Sequence, residues 1–333
     1  MVIKTDTLTN SNSLKYRILI TGVSGFIGSC LYEYFSNKGY EVLGIDCKQP
    51  NQLGKIKLWR KIDITKYDEL LNCISSFSPD FILHLAARTD LNGKTLNDYS
   101  ANTIGTENLI KVANSIENIK SVIFTSSMLV CGPGYMPKHP LDYRPTTVYG
   151  ESKVEMERII RKYSHHYTWA IVRPTSIWGP GFGTPYRDFF DLVVKHSYFH
   201  IGNKASTKTY GYVGNVIYQI DSILNTSPDK INEQVFYLGD YVPTNIKIWA
   251  DEIAEQLQYK IKTIPFSIIK CAALTGDLMK FIGISFPMSS FRLKNMTTDN
   301  VVDLSNTMRI APQLPYTRVE GIKKTLDWLK DRK

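Results

Sequence analysis

Short apolar runs, each closed by a polar or glycine-rich turn, recur through the first half of the chain. They occupy 16–21 (YRILIT), 40–46 (YEVLGID), 80–87 (DFILHLAA), 121–127 (SVIFTSS) and 169–179 (WAIVRPTSIWG). Runs this short and this apolar predict buried strands. Between them the apolar spacing turns helical, over 26–38, 101–116 (ANTIGTENLIKVANSI) and 151–164 (ESKVEMERIIRKYS). Strand and helix in alternation predict a parallel sheet of right-handed βαβ units, a doubly wound α/β fold of Rossmann type.

After Gly179 the alternation becomes irregular, and Pro180, Gly181, Gly183 and Pro185 crowd one stretch. This divides the chain into a polar lead-in (1–15), an α/β domain (16–179) and a smaller C-terminal α/β lobe (180–333). The lobe is expected to bind substrate. Within it, 235–238 is a candidate strand returning to the first domain.

A chain of 333 residues, 43% hydrophobic and 21% charged, suits a folded protein with a sizeable core. No uncharged apolar run approaches the roughly 18 residues of a membrane span, and the N-terminus lacks an apolar signal core. The formal charge of +9 is dispersed rather than clustered, which argues against nucleic acid and suits an anionic diphosphate substrate. Cys30, Cys47, Cys73, Cys131 and Cys271 form no CxxC pair and no metal-ligand spacing. Reduced thiols, a cytoplasmic location and no metal are the expectation. His165 and His166 follow a helical stretch and read as a solvated turn.

The first turn carries chemistry. Gly22, Gly25 and Gly28 lie in TGVSGFIG (21–28), directly between the first strand and the first helix. Glycines there allow a tight turn, close approach to a pyrophosphate and close helix packing, and the helix N-terminus favours the anion. Asp46 ends the next strand, where a carboxylate can accept from both hydroxyls of an adenosine ribose. That favours NAD over NADP, although Lys48 offers a competing phosphate contact.

The whole 21–28 turn, with Phe26 and Ile27, resembles the TGxxGFIG fingerprint of extended short-chain dehydrogenases/reductases. Asp63-Ile64, His84-Leu85-Ala86-Ala87, Asn102-Thr103-Ile104-Gly105-Thr106, Tyr149-Gly150-Glu151-Ser152-Lys153 and Arg173-Pro174-Thr175-Ser176-Ile177-Trp178-Gly179-Pro180 are similar to further family motifs in the same order. The nearest relatives by these motifs are nucleotide-sugar epimerases, dehydratases and reductases, with UDP-sugar 4-epimerases foremost. The resemblance implies cofactor contacts at Asp63, Ile64, Leu85, Ala86, Ala87, Asn102 and Pro174, and possible homodimers built from 101–116 and 151–164.

Tyr149 and Lys153 are four residues apart on a predicted helix and share one face. An ammonium near a phenol favours the phenolate, making Tyr149 an acid/base, and Lys153 can also hold the nicotinamide ribose. Ser127 resembles the family's catalytic hydroxyl, with Ser126 the alternative. Family dehydratases carry an acidic pair just after that serine, but Met128 and Leu129 stand here and cannot transfer protons. Reversible oxidation at one sugar carbon remains: either 4-epimerisation with NAD retained, or reduction of a 4-keto sugar with cofactor exchange. A non-catalytic dinucleotide-binding regulator is the reading of another class, and the intact Ser127, Tyr149 and Lys153 argue against it.

For the substrate, Lys208 resembles a phosphate-contacting arginine of the family, and Arg292 lies near where a second one is expected. Ser176 replaces a substrate-binding asparagine. Tyr186 and Arg187 are candidates for the sugar pocket, with an Arg187–Asp191 salt bridge as the competing use.

Overall fold

The computed structural model describes residues 16–50, 56–184, 186–202, 205–281, 290, 293 and 297–331. Seven strands form one parallel sheet: β1 (Arg17–Thr21), β2 (Glu41–Asp46), β3 (Trp59–Lys61), β4 (Phe81–His84), β5 (Ser121–Thr125), β6 (Thr168–Pro174) and β11 (Gln234–Leu238), in the order β11-β6-β5-β4-β1-β2-β3. The order reverses between β1 and β4, so the crevice beyond their C-terminal ends is the ligand-binding switch point of a doubly wound sheet.

The sequence period explains the layers. Along β1, Ile18 and Ile20 enter one core cluster and Leu19 the other, as side chains alternating across a strand must. On the first face pack α1 (Phe26–Asn37), α6 (Val213–Leu224), α8 (Ile246–Gln256) and α11 (Arg318–Lys330). On the second lie α2 (Tyr67–Phe77), α3 (Ser100–Asn114) and α4 (Val148–Lys162). Helix α4 starts cleanly because the Thr147 hydroxyl accepts the Gly150 N–H at 3.0 Å, with Arg161 and Lys162 in its last turn. Tyr149 therefore sits in the first turn.

Three details differ from the sequence reading. The run 169–179 is not one strand. It breaks at Thr175, and β7 (Ser176–Trp178) leaves the sheet to pair with β10 (Tyr210–Tyr212). The strand of 80–87 stops at His84, and 85–87 turn into the crevice. Edge strand β3 went unread.

Beyond Gly179, α5 (Tyr186–Val194) and the short strands β8 (His200–Ile201), β9 (Thr207–Lys208), β12 (Thr244–Asn245) and β13 (Thr263–Ile264) build small two-stranded pairings, followed by α9 (Phe266–Phe281). Ile201, Ile269, Ala273 and Leu293 form a small separate core. Yet this half also returns to the main sheet. β11 pairs with β6, and α6 docks on α1 through Asp221, which accepts from Tyr34 Oη at 2.8 Å and Lys38 Nζ at 2.6 Å. Helices α7 (Pro228–Ile231) and α10 (Ser305–Ile310) flank that returning strand. Among the described residues, no helix is long and apolar enough to cross a membrane, and no cluster of His, Cys, Asp or Glu could hold a metal.

Candidate active site

The turn after β1 opens the site. Gly22 has φ +75°, and a Cβ there would stand 2.6 Å from the Ala86 nitrogen. A Cβ on Gly28 would stand 2.2 Å from the Gly22 carbonyl oxygen. Neither position admits a side chain, so bare backbone forms a cradle shaped for a pyrophosphate. Gly25, the N-cap of α1, offers no side-chain cap, and the turn opened by Phe26 and Ile27 holds no acid. The positive end of α1 is thus available to an anion.

Asp46 stands beside this turn. Its carboxylate accepts the Ser24 N–H at 3.0 Å and the Lys48 N–H at 2.9 Å, so it braces the glycine loop in addition to any ligand role. Asp63 is exposed and turned to the Thr65 N–H and hydroxyl, at 2.9 and 2.8 Å. Ile64 is buried against Gly105, where a Cβ would meet it at 2.5 Å.

The floor of the crevice is a buried polar chain. Thr21 Oγ1 accepts the N–H groups of Leu85 and Ala86 at 3.1 and 3.0 Å and lies 2.8 Å from His84 Nδ1. His84 Nε2 lies 3.1 Å from Thr106 Oγ1, whose proton goes to the Asn102 carbonyl at 2.9 Å. Burial, helped by the nearby Lys153 charge, pushes His84 down to about 3, so it is neutral. Ala87 follows, half-buried at the crevice.

Asn102 lies beneath the crevice, not in it. It is fully buried; its amide donates to Arg88 O and Ser152 Oγ at 3.1 and 2.9 Å, and its oxygen accepts the Arg88 N–H at 2.8 Å. Both donors are spent on protein, so its part is to tie the 85–88 loop to α4. Pro174 is half-buried at the end of β6, in register with Leu238.

Ser127, Tyr149 and Lys153 meet where β5 ends against α4. Ser127 accepts the Leu129 N–H at 3.1 Å and lies close enough to the Tyr149 phenol to draw its pKa down. Ser126 is committed elsewhere, donating to Glu157 Oε1 at 2.6 Å. Lys153 Nζ donates to the Thr125 carbonyl at 2.8 Å and approaches Met156 Sδ at 3.4 Å. The expected depression of the Tyr149 pKa does not occur in this state. Burial pushes the phenol up to about 12, against the smaller opposing effect of Ser127. Burial likewise pushes Lys153 down to about 7, with Glu157 opposing. Low-dielectric surroundings drive both toward their neutral forms, and the ammonium is spent on a carbonyl. The Tyr99 ring, 6.0 Å from that of Tyr149, backs the phenol.

On the lobe side, Ser176 donates to Tyr186 Oη at 2.8 Å, and Tyr186 is close enough to Tyr149 and Tyr210 to perturb both phenols. Arg187 takes the competing role foreseen for it. It pairs with Asp191 at 3.4 Å and lies 5.8 Å from the Trp328 ring centroid. Lys208 is half-buried in β9, its pKa lowered by burial and partly restored by Asp299. Arg292 lies outside the described residues. His165 is not a solvated turn residue: its ring nitrogens lie 2.9 Å from Tyr167 Oη and 2.7 Å from the Ile160 carbonyl. Depressions of about 310 and 330 Å³ adjoin it, at the N-terminal end of β6, away from the C-terminal strand ends that carry the site.

Sequence reasoning passed over Thr21, Tyr99 and Glu157. The pattern held one clue, since 149, 153 and 157 recur at helical spacing on one face.

The sequence profile described as the NAD-dependent epimerase/dehydratase family matches residues 18–233. The chain belongs to that family. It is thus an NAD-dependent enzyme of the extended short-chain dehydrogenase/reductase group, whose members include epimerases and dehydrogenases. Among its relatives, 3β-hydroxysteroid dehydrogenase/Δ5→4-isomerase of Mycobacterium tuberculosis is 28% identical over 72% of this chain and 69% of that protein. GDP-6-deoxy-D-talose 4-dehydrogenase of Aggregatibacter actinomycetemcomitans is 31% identical over 50% of this chain and 54% of that protein. Among solved structures, the Bacillus cereus UDP-glucuronic acid 4-epimerase, in complex with UDP-glucuronic acid and NAD, superposes with a TM-score of 0.73. It is 20% identical, covering 95% of this chain and 100% of that one. At such identity the likeness is one of fold.

Proposed function

We propose that this family member is a nucleotide-sugar 4-epimerase, working in the cytoplasm on a nucleoside-diphosphate hexose through a 4-keto intermediate. The observation that carries the reading is the convergence of Ser127, Tyr149 and Lys153 beside the glycine turn, with the apolar Met128 and Leu129 next in the chain. Bound along the turn, NAD would supply reversible hydride transfer.

In this reading the Tyr149 oxygen removes the proton of the sugar C4 hydroxyl and returns it after the sugar has turned over. Ser127 hydrogen-bonds the same sugar oxygen. Lys153, now on the Thr125 carbonyl, would hold the cofactor ribose, where its charge would favour the phenolate. The cradle at Gly22 and Gly28 and the uncapped N-terminus of α1 would hold the cofactor pyrophosphate, and Asp46 would meet the adenosine ribose. Lys208 meets the substrate diphosphate, and Ser176 and Tyr186 border the sugar, between the first domain and the lobe beyond Gly179. Helices α3 and α4 pack side by side with Ile104 exposed, which supports a homodimer through those faces.

The alternative, a 4-keto-sugar reductase, draws on the GDP-6-deoxy-D-talose 4-dehydrogenase among the relatives. Incubating the purified protein with UDP-glucose and UDP-glucuronate, without added cofactor, tests between them. Interconversion of C4 epimers supports the epimerase. Turnover of a 4-keto sugar alone, matched by consumption of added reduced cofactor, supports the reductase.

A further inference from the structure

Glu157 follows Lys153 by about one turn of α4 and is fully buried. Its Oε1 accepts from Ser126 Oγ at 2.6 Å and Arg173 Nε at 2.8 Å; its Oε2 accepts from Tyr143 Oη at 2.9 Å and Arg173 Nη2 at 2.7 Å. Arg173, fully buried as well, also donates to the Pro140 carbonyl at 2.6 Å and Tyr237 Oη at 3.0 Å. Its guanidinium lies between the Tyr143 and Tyr237 rings, 5.5 and 5.3 Å from their centroids. One ion pair thus joins α4, the ends of β5 and β6, strand β11 and the loop 132–146.

A buried pair of this kind is a poor device for stability alone, because removing two charges from water offsets most of their attraction. Its placement indicates another use. Ser126 is held by its N–H on Val172 O at 2.7 Å and by its hydroxyl on Glu157, which fixes the chain where Ser127 turns to Tyr149. The same carboxylate lies on the helix face that carries Tyr149 and Lys153.

We propose that the Glu157–Arg173 pair is a positioning group for the reaction, holding Ser127 in place at the reacting sugar carbon and the Lys153 ammonium on the α4 face beside it. This rests on the catalytic reading above. Burial acts against the Lys153 charge and Glu157 acts for it. The other groups around that ammonium are the Thr125 carbonyl, the Met156 sulfur, and His84 from β4, which burial keeps neutral. Facing Glu157 are Arg173 from β6 and Tyr143 from the loop, with Tyr237 behind the guanidinium.

The test uses the NAD-loaded full chain, comparing the unaltered protein with Glu157→Gln and with Glu157→Gln/Arg173→Met. The single change strands a buried guanidinium and lowers the unfolding midpoint; the double change removes both charges and restores folding. In the folded double variant kcat on UDP-glucose falls tenfold or more with KM little changed. The alkaline limb of its kcat profile moves to lower pH, because Lys153 loses its proton sooner. Crystal structures of the loaded proteins show Ser127 Oγ and Lys153 Nζ displaced. A folded double variant with kcat, pH limb and both side chains unchanged overturns the proposal. Should the double variant not fold, Ser126→Ala cuts only one link: a kcat drop of threefold or more supports the proposal, and an unchanged kcat overturns it. If the unaltered protein leaves UDP-glucose untouched, the functional reading fails for that sugar, while the crystallographic positions still decide the proposal.

Discussion

The Thr21 hydroxyl and the His84 imidazole stand 2.8 Å apart, and their neighbours fix the direction of the bond. Thr21 Oγ1 already accepts two backbone N–H groups, so its proton goes to His84 Nδ1. Thr106 gives its own proton to Asn102 O, so it must accept from His84 Nε2. His84 is therefore the neutral Nε2–H tautomer, with no lone pair left for a second proton.

That arrangement sets an acid limb of stability. The unfolded imidazole takes a proton near 6.5 and the folded one only near 3, so stability falls as pH drops below about 6.5. His84→Leu, which strands both threonines, is expected to cost about 1–3 kcal/mol at pH 7. It also removes the titration, so the gap to the unaltered protein should shrink by about 2 kcal/mol between pH 7 and 5. Urea unfolding at the two values checks this; a constant gap would mean that His84 is not held neutral.

Lys153 is expected to cost the fold stability at neutral pH. Its folded value of about 7 lies below the ordinary lysine value. Its contribution therefore rises with pH across that window, as the unfolded chain gives up the extra proton. Lys153→Met should unfold at a higher temperature than the unaltered protein at pH 7, with the advantage fading toward pH 10. Turnover should be lost. A variant less stable at pH 7 would show that the bond to Thr125 outweighs the buried charge.

Gly28→Ala would press a methyl to 2.2 Å from the Gly22 carbonyl oxygen. Backbone cannot yield as a flexible side chain can, so a loss of about 1–3 kcal/mol is expected, together with weaker NAD binding. Gly183→Ala is the control, since nothing lies within 4 Å of its Cβ. Thermal unfolding and cofactor titration of the pair check this, and equal NAD affinity in both would remove the pyrophosphate cradle from Gly22–Gly28.

Asp46→Ala should relax the preference for NAD over NADP and also weaken NAD itself. The same carboxylate holds the Ser24 and Lys48 N–H groups, so the turn loosens with its loss. Calorimetric titration with each cofactor measures both effects. Equal or tighter NADP binding by the unaltered protein would show that Lys48 or another cation dominates.

The sheet was legible where period and polarity agree. Ile18, Leu19 and Ile20 are all apolar because both faces of β1 are covered, and Asp46 marks a strand end. Trp59–Lys61 was not legible, because a three-residue edge strand with two basic side chains carries no period. The break at Thr175 was hidden inside one apolar run, since β7 is as buried as β6. Tyr149, Lys153 and Ser127 could be read from motif and spacing. Their protonation could not, because it depends on burial and on where the Lys153 ammonium points. Glu157 looked like an ordinary charged position and Arg173 entered only as the start of a family motif, as nothing local in sequence announces a partner 16 residues away.

The central claim is that hydride leaves and returns to the same sugar carbon, with Tyr149 moving the proton. It is tested most directly by the fate of deuterium placed on C4 of a UDP-hexose that the protein turns over, in ordinary water. The expected result is interconversion of C4 epimers with the label retained on C4 and no net consumption of cofactor. Tyr149→Phe should slow that exchange by about 10²–10⁴-fold while still binding NAD. Loss of the C4 label into released reduced cofactor, or exchange with solvent at C3 or C5, would contradict the account.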